Sequence, residues 1–173
     1  MEEFYRDNRG ITLIELVVVL SLLAIIAGLA YPAVNKWIPN YRLKAASREL
    51  YSNLQKAKIE AIKRNRYVAI TFSVPISGVT YDYIVYVDNN SNLQYDPGET
   101  ILSRVRLPTS GGISISTNTF INNGNGRKTL AFNPRGLPEN AAHNPGVGTI
   151  TLSNSLNRTH SITISMFGRI QLT

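Results

Sequence analysis

A single carboxylate, Glu15, lies within an otherwise apolar run that extends from Ile11 to Tyr31. A short polar segment, which ends at Gly10, precedes this run. An ionised side chain at membrane depth costs roughly 3 kcal/mol on insertion scales, so such a residue is kept only where it has a specific partner. The position of Glu15 therefore predicts a functional contact made by its carboxylate.

Two other interpretations of the apolar run remain open. The run has the features of a secretory signal, with a cleavage site after Gly28-Leu29-Ala30. It is also long enough for an ordinary, unprocessed membrane anchor, because about 20 apolar residues span a bilayer. Both interpretations leave the carboxylate of Glu15 without a partner, and we therefore prefer one that pairs it.

Oxygen-bearing side chains recur at regular spacing in the twelve-residue segment Asp88–Glu99. They occupy positions 1, 3, 5, 9 and 12, the spacing by which a loop wraps Ca²⁺, with a backbone carbonyl at position 7. Leu93 stands where calcium loops carry Gly. A polar β-hairpin turn explains the same composition, because Asn and Asp bond to their own backbone, and we favour that interpretation, with no cofactor, over Ca²⁺. The candidate ligands are Asp88, Asn90, Asn92, Gln94, Asp96 and Glu99.

The sequence offers little for catalysis. It has no Cys and two His, His143 and His160, both in or beside predicted loops. No nucleophile and base therefore stand at a recognisable spacing, and thiolate metal sites and disulfides are excluded. The glycine-rich stretch Asn123–Gly126 does not open a helix after a strand, so it does not predict a phosphate cradle. We predict that the protein is not an enzyme.

A basic stretch between Lys36 and Arg66 contains nine Lys or Arg against two Glu. Such a stretch attracts the phosphates of nucleic acids or acidic lipid headgroups. A solvated helix face, or a face beside acidic neighbouring subunits, is the commoner explanation of this pattern. The charge alone does not decide between them.

The elements that position these residues follow from hydrophobic periodicity. Residues from about Ile11 to Arg64 form one predicted long helix, interrupted at Pro32 and Pro39, because a proline lacks an amide hydrogen and clashes with the preceding turn. We expect an apolar stripe beyond the first run to pack on the chain's own head domain. Spacings of three and four place its members on one helix face: Leu43, Ala46, Leu50, Leu54, Ala57 and Ala61.

From Tyr67 onward the periodicity changes to two, with turn residues between short runs. Residues 117–127 and 133–148 are predicted loops. About 140 residues remain after the apolar segment, enough for one core. The predicted fold is α+β, with a long N-terminal helix whose stripe covers one face of an antiparallel β-sheet head. The predicted strands are 67–72, 80–87, 100–107, 112–116, 128–132, 149–152, 161–165 and 169–172.

The ten residues Arg9–Val18 resemble the processing site of type IV pilins and pseudopilins. The resemblance implies that a prepilin peptidase cleaves between Gly10 and Ile11, that the helix is retained and that Ile11 is N-methylated. Here Ile11 stands where the family usually has Phe. In that family the carboxylate five residues into the mature chain meets the N-terminal amine of a neighbouring subunit, which implies this role for Glu15. Pro32 lies where pilin-like chains carry a helix-breaking proline.

Four later segments resemble the H-type minor pseudopilins, the GspH/FimT family: residues 46–55, residues 60–68, Phe132–Gly136 and Phe167–Ile170. This resemblance implies a pilin-like roll and a structural subunit that primes or caps a type II secretion pseudopilus or a type IV pilus. The implied partners are prepilin peptidase, other major and minor pilins, and an inner-membrane assembly platform. The implied location is the bacterial inner membrane, spanned once with the head in the periplasm, and then the filament.

The alternative function is DNA binding at a pilus tip for DNA uptake. Some members of that family bind DNA through a C-terminal Gly-Arg-x-Arg element. Gly168-Arg169-Ile170 matches its start, which makes Arg169 the candidate contact, but Gln171 replaces the second arginine, so nucleic acid is not the favoured partner. The predicted divisions of the chain are a leader at 1–10, a hydrophobic helix at 11–32, a stalk helix at 33–66 and a β-rich head at 67–173.

Overall fold

The computed structural model describes residues 10–173, and for residues 29–36 it describes the backbone alone. One helix, α1, runs over Leu13–Arg64. Thr12 caps its start, because the Thr12 hydroxyl accepts a hydrogen bond from the Glu15 N–H at 3.3 Å. The helix ends at Arg64: the next residue, Asn65, has a left-handed φ of 53°, and the Arg66 N–H donates a hydrogen bond to the Ala61 carbonyl.

The predicted interruptions at Pro32 and Pro39 are wrong as breaks, because α1 continues through both positions. A proline removes one hydrogen bond of the ladder, and the bonds of the flanking turns still hold the helix. The described chain divides after Trp37 into two compact units, and the second unit is residues 38–173. Within the described residues, no helix combines the length and the apolar character needed to cross a membrane.

The second unit contains two antiparallel sheets. The first sheet has the strand order β3-β2-β1-β5-β6, and the second has the order β4-β7-β8-β9. The strands are β1 Tyr67–Ile76, β2 Val79–Asp88, β3 Ile101–Val105, β4 Ser114–Asn118, β5 Thr129–Phe132, β6 Pro138–Glu139, β7 Gly148–Ser153, β8 Thr159–Ile164 and β9 Ile170–Leu172.

All eight predicted strands are present, and three expectations need correction. The head holds two sheets rather than one. The predicted 133–148 loop contains the short strand β6, and the predicted 117–127 loop begins inside β4. A two-residue strand that starts with proline has too short a pattern to read, and proline normally argues against a strand interior.

The apolar stripe of α1 packs in the main core, as predicted. Its six residues are buried and share one hydrophobic cluster with inward-facing side chains of both sheets. The first sheet also buries its opposite face, where a second cluster forms around Tyr86 and Leu93. Strand β1 is buried at five consecutive positions, which fits a strand covered on both faces. The stretch between β2 and β3 supplies this second cover.

Candidate functional site: the helix start, the Asp88–Glu99 loop and the Tyr67 groove

The predicted processing site lies immediately before α1. Gly10 and Ile11 are exposed and precede the helix, and Thr12 is its cap. Thr12 and Glu15 have the Thr-x-x-Glu spacing of a capping box, and a carboxylate in the first turn is favoured by the helix dipole. The structure describes no ion-pair partner for Glu15 among residues 10–173. A chain that begins at Ile11 keeps the complete helix cap.

The Asp88–Glu99 loop connects two antiparallel neighbours, β2 and β3, and its carboxylates bind the loop's own donors. Asp88 is buried, and its two oxygens accept the N–H groups of Ser91 and Leu93, each at 2.7 Å. Glu99 accepts the N–H groups of Asn89 at 2.9 Å and of Asp96 at 3.1 Å. The two acids thus fix the two ends of the loop.

The remaining candidate ligands also form internal hydrogen bonds. One oxygen of Asp96 accepts the side-chain amides of Asn90 and Asn92, each at 2.8 Å. These bonds lower the pKa of Asp96, whereas burial, together with the charges of Asp88 and Asp96, raises the pKa of Glu99. In the described part of the chain, no group of three His, Asp or Glu side chains is arranged to hold a metal ion. The Ca²⁺ site stays the less favoured of the two interpretations of this loop.

Leu93 explains why this loop lies over the sheet. Its side chain is fully buried in the second core cluster, and its backbone has a left-handed φ of 57°. Calcium loops place Gly at this position for the same backbone conformation. Asn123 donates to the Leu93 carbonyl at 3.0 Å and to Thr129 at 3.0 Å, which joins the loop to the neighbouring 119–128 segment.

Sequence reasoning missed a groove around Tyr67. Two adjoining cavities, of about 380 and 480 Å³, share Asn65, Tyr67 and Pro134. The carboxylate of Glu139 accepts hydrogen bonds from the Tyr67 hydroxyl at 3.1 Å and from the Asn133 amide at 2.7 Å. Burial, and then the contact with Glu139, raise the pKa of Tyr67. The only sequence signal for this groove was the family-like segment Phe132–Gly136.

Comparison with models of known protein families identifies the family to which the chain belongs. The family model described as "Type II transport protein GspH" matches residues 46–168. The chain belongs to the GspH family. A second model, described as "Prokaryotic N-terminal methylation motif", matches residues 5–31. The predicted resemblance to H-type pilin-like proteins is therefore confirmed.

A relative of this GspH-family chain supports the same assignment. The "Pilin-like protein PilA1" of Thermus thermophilus is 33% identical over 176 residues, which cover 95% of this chain and 98% of the relative. No solved structure matches the chain. GspH-family proteins are structural components, so the prediction that the chain is not an enzyme is confirmed.

The basic residues of this GspH-family chain are partly used within the fold. Lys56 donates to the Leu102 carbonyl at 3.0 Å, and Lys58 donates to the Gly168 carbonyl at 2.8 Å. Arg64 pairs with Glu60, and this contact lowers the pKa of Glu60. Arg169 is exposed in the turn before β9, where its N–H contacts the Ser165 hydroxyl. Gln171 stands two residues after Arg169, at the position where the Gly-Arg-x-Arg element has its second arginine.

Proposed function

We propose that the chain is a minor pilin or pseudopilin that is cleaved between Gly10 and Ile11 and assembled with other subunits. The observation that carries the proposal is the match of the N-terminal methylation motif to residues 5–31, because such a motif marks chains that are processed at this point. Prepilin peptidase and other pilins are the general partners of such a chain. Residues 11–32 anchor it in the inner membrane before assembly, with the head in the periplasm.

Sequencing the N-terminus of protein isolated from membranes tests the processing step. The expected sequence begins at Ile11 with a methylated amine. A sequence that begins at Tyr31 would instead identify a secretory signal, and an intact Met1 would identify an unprocessed anchor. Either result contradicts the proposal.

Glu15 directs the docking step in this proposal. Its carboxylate lies at an exposed helix start, and no cation among the described residues pairs with it. The N-terminal amine that cleavage creates on a neighbouring subunit supplies the missing charge, since a carboxylate in apolar surroundings is tolerated only beside a cation or when protonated.

Within the filament, the specific role that we propose for the chain is to prime or cap assembly of either a type II secretion pseudopilus or a type IV pilus. Deleting the gene and scoring exoprotein release beside twitching and surface pili separates the two machines. Loss of secretion alone assigns the pseudopilus, and loss of pili alone assigns the pilus. A deletion that changes neither phenotype would contradict both roles.

DNA binding through Arg169 is the weaker alternative. Several helix cations contact the chain's own carbonyl and carboxylate groups, and Gln171 replaces the second arginine of the DNA-binding element. A gel shift with the full-length protein in detergent tests it. We expect no salt-sensitive retardation, whereas a shift that Arg169→Ala abolishes would establish DNA binding.

A further inference from the structure

The groove around Tyr67 is longer than a single cavity. A third cavity, of about 260 Å³, adjoins the second and shares Asn133, Arg135 and Glu139 with it. The three cavities together are called the Tyr67 groove. Its walls come from the end of α1, the end of β2 and the segment 133–145, with Met166 at its apolar end.

We propose that the Tyr67 groove binds an extended acidic segment of another polypeptide. Carboxylates of that segment contact Arg66 and Arg135, and one apolar side chain enters the third cavity. This site is separate from the helix start that the proposed function uses. Its occupancy can therefore be measured without filament assembly.

The charges of the groove favour a carboxylate-bearing partner. Arg66 and Arg135 are exposed, and neither has an ion-pair partner among residues 10–173. The acids of the same walls already accept internal hydrogen bonds, since Asp88 binds two backbone N–H groups and Glu139 binds Tyr67 and Asn133. An arginine fork binds a carboxylate with two parallel hydrogen bonds, which makes it the preferred contact for such a partner.

The neutral polar groups of the groove favour a polypeptide over a nucleic acid. In the described structure the side-chain amides of Asn65 and Asn89 have no hydrogen-bond partner, and each offers both donors and an acceptor to a peptide backbone. A phosphodiester chain brings one negative charge at every nucleotide, including positions beside Asp88 and Glu139. A peptide places its carboxylates at the arginines alone.

The far end of the groove is apolar. Leu137, Pro138, Pro145 and Met166 line the third cavity, and the side chain of Met166 is about half exposed. A flexible methionine adapts to an aliphatic side chain of varied shape. The neighbouring carboxylate of Glu139 also lies within hydrogen-bond distance of the His143 ring nitrogen Nδ1, at 3.2 Å, and the His143 ring packs edge to face on Tyr67 with 5.9 Å between the ring centres. These contacts fix the groove wall before a partner arrives, which lowers the entropy cost of binding.

Peptide titration of the full-length protein in detergent, followed by nitrogen-15 NMR, tests the proposal. The probe is acetyl-Asp-Glu-Leu-Glu-Asp-amide, and its matched control is acetyl-Asn-Gln-Leu-Gln-Asn-amide. We expect saturable shifts at residues 65–67 and 133–139 with the acidic peptide at millimolar concentration, and at least tenfold weaker binding of the control. Because exposed ion pairs are screened, added salt should weaken the acidic peptide's binding.

Two variants locate the binding. Arg66→Ala with Arg135→Ala should weaken binding of the acidic peptide about tenfold, whereas Arg158→Ala, an exposed arginine outside the groove, should leave it unchanged. Met166→Ser should weaken binding of the leucine peptide but not of the same peptide with Gly in place of Leu. Unchanged amide spectra away from the groove verify that each variant is folded.

Three results would overturn the proposal. The acidic peptide could bind no better than its amide control, or its binding could be unaffected by the double arginine variant. A single-stranded oligonucleotide of equal charge could shift the same residues at lower concentration than the peptide, which would make the groove a nucleic-acid site. Cleavage at Ile11 and incorporation into filaments are measured in separate experiments. A failure of peptide binding can therefore be distinguished from a failure of the proposed function.

Discussion

The carboxylate of Glu15 at the helix start and the carboxylates of the Asp88–Glu99 loop differ in whether their own chain supplies them with partners. Glu15 lies on an exposed, apolar helix, and no described residue of its own chain pairs with it. Asp88 and Glu99 lie in a polar loop, and all four of their oxygens accept backbone N–H groups of that loop. Under the proposed function, the acid without an internal partner is the one that contacts another chain. An acid whose oxygens are satisfied internally indicates a role in the fold.

The surroundings reinforce this difference. Large apolar side chains near Glu15, such as Ile14 and Leu16, are more than half exposed, as expected of a surface that another molecule covers. The loop instead inserts Leu93 into a closed cluster on the first sheet. Substitutions in the two regions should therefore change different measurements, assembly in one and stability in the other.

The largest expected effect is on assembly. Glu15→Ala should reduce the amount of protein in sheared filaments more than tenfold, because the amine of the neighbouring subunit loses its counter-charge, while the head keeps its stability. Immunoblots of filament and membrane fractions measure this ratio. Thr12→Ala is the matched control, since it removes the helix cap, costing about 1 kcal/mol locally, and keeps the carboxylate. Full complementation of a deletion strain by Glu15→Ala would contradict the inter-subunit role.

The next effect is on the stability of the head. Asp88→Asn should lower the free energy of unfolding by about 1–3 kcal/mol, because an amide nitrogen replaces one of two buried acceptors and leaves a backbone N–H unsatisfied. Urea unfolding of the full chain in detergent, followed by the near-ultraviolet signal of its tyrosines, measures the change. Glu49→Gln removes an equal charge at an exposed position and should have little effect. Equal losses in both variants would show that charge, rather than the two hydrogen bonds, matters.

Sequence reasoning succeeded where the pattern is local. The apolar stripe of α1 and the aromatic and β-branched residues of Thr80–Val87 each lie within a single element, so both could be recognised from the sequence alone. The spacing from Asp88 to Glu99 identified the acidic loop, but the burial of Leu93 depends on contacts with strands and with Asn123, thirty residues away. Such contacts are set by tertiary packing and leave no periodic signal.

The Tyr67 groove could not be predicted for the same reason. Its walls join residues 64–67, 88–91 and 133–145, which are distant in the chain. The strand β6, which carries Glu139 into the groove, is two residues long and begins with proline. The second sheet was likewise hidden, because the alternation of a strand does not say which strands it will pair with.

A smaller quantity, the difference in stability between two substitutions of Leu93, separates the effect of backbone strain from that of burial. Leu93→Ala should cost about 3 kcal/mol by removing a buried side chain. Leu93→Gly loses still more side chain, but it relieves the left-handed conformation by about 1 kcal/mol, so it should be the less damaging change. Urea unfolding compares the two variants directly. A glycine variant that is less stable than the alanine variant would show that the φ of 57° is not a source of strain.

The remaining alternative for this loop, Ca²⁺ binding, is tested by adding the ion. With the acids engaged in backbone hydrogen bonds, we expect millimolar Ca²⁺ to give no heat in calorimetry and no change in melting temperature. A ligand specific to the native state would raise that temperature by mass action. A rise that a double variant, Asp88→Ala with Glu99→Ala, abolishes would establish a calcium loop, and Leu93→Gly should then bind the ion more tightly.

The smallest effect compares two acids within the loop through their pH dependence. Burial raises the pKa of Glu99 above its ordinary value of 4.5, so the folded state holds this proton more tightly, and its contribution to stability falls as pH rises through that window. The amides of Asn90 and Asn92 lower the pKa of Asp96 below 3.8, so its contribution is present above that value and is lost as pH falls through the lowered pKa.

The melting temperature of the wild type relative to Glu99→Gln should therefore rise on acidification from neutral pH to about 4, by roughly 1–2 °C. Relative to Asp96→Asn the melting temperature of the wild type should fall as acidification continues below that pH. Thermal melts of the three proteins across this range measure both trends, and two trends of the same sign would show that the loop acids titrate as one group rather than in the separate surroundings described here.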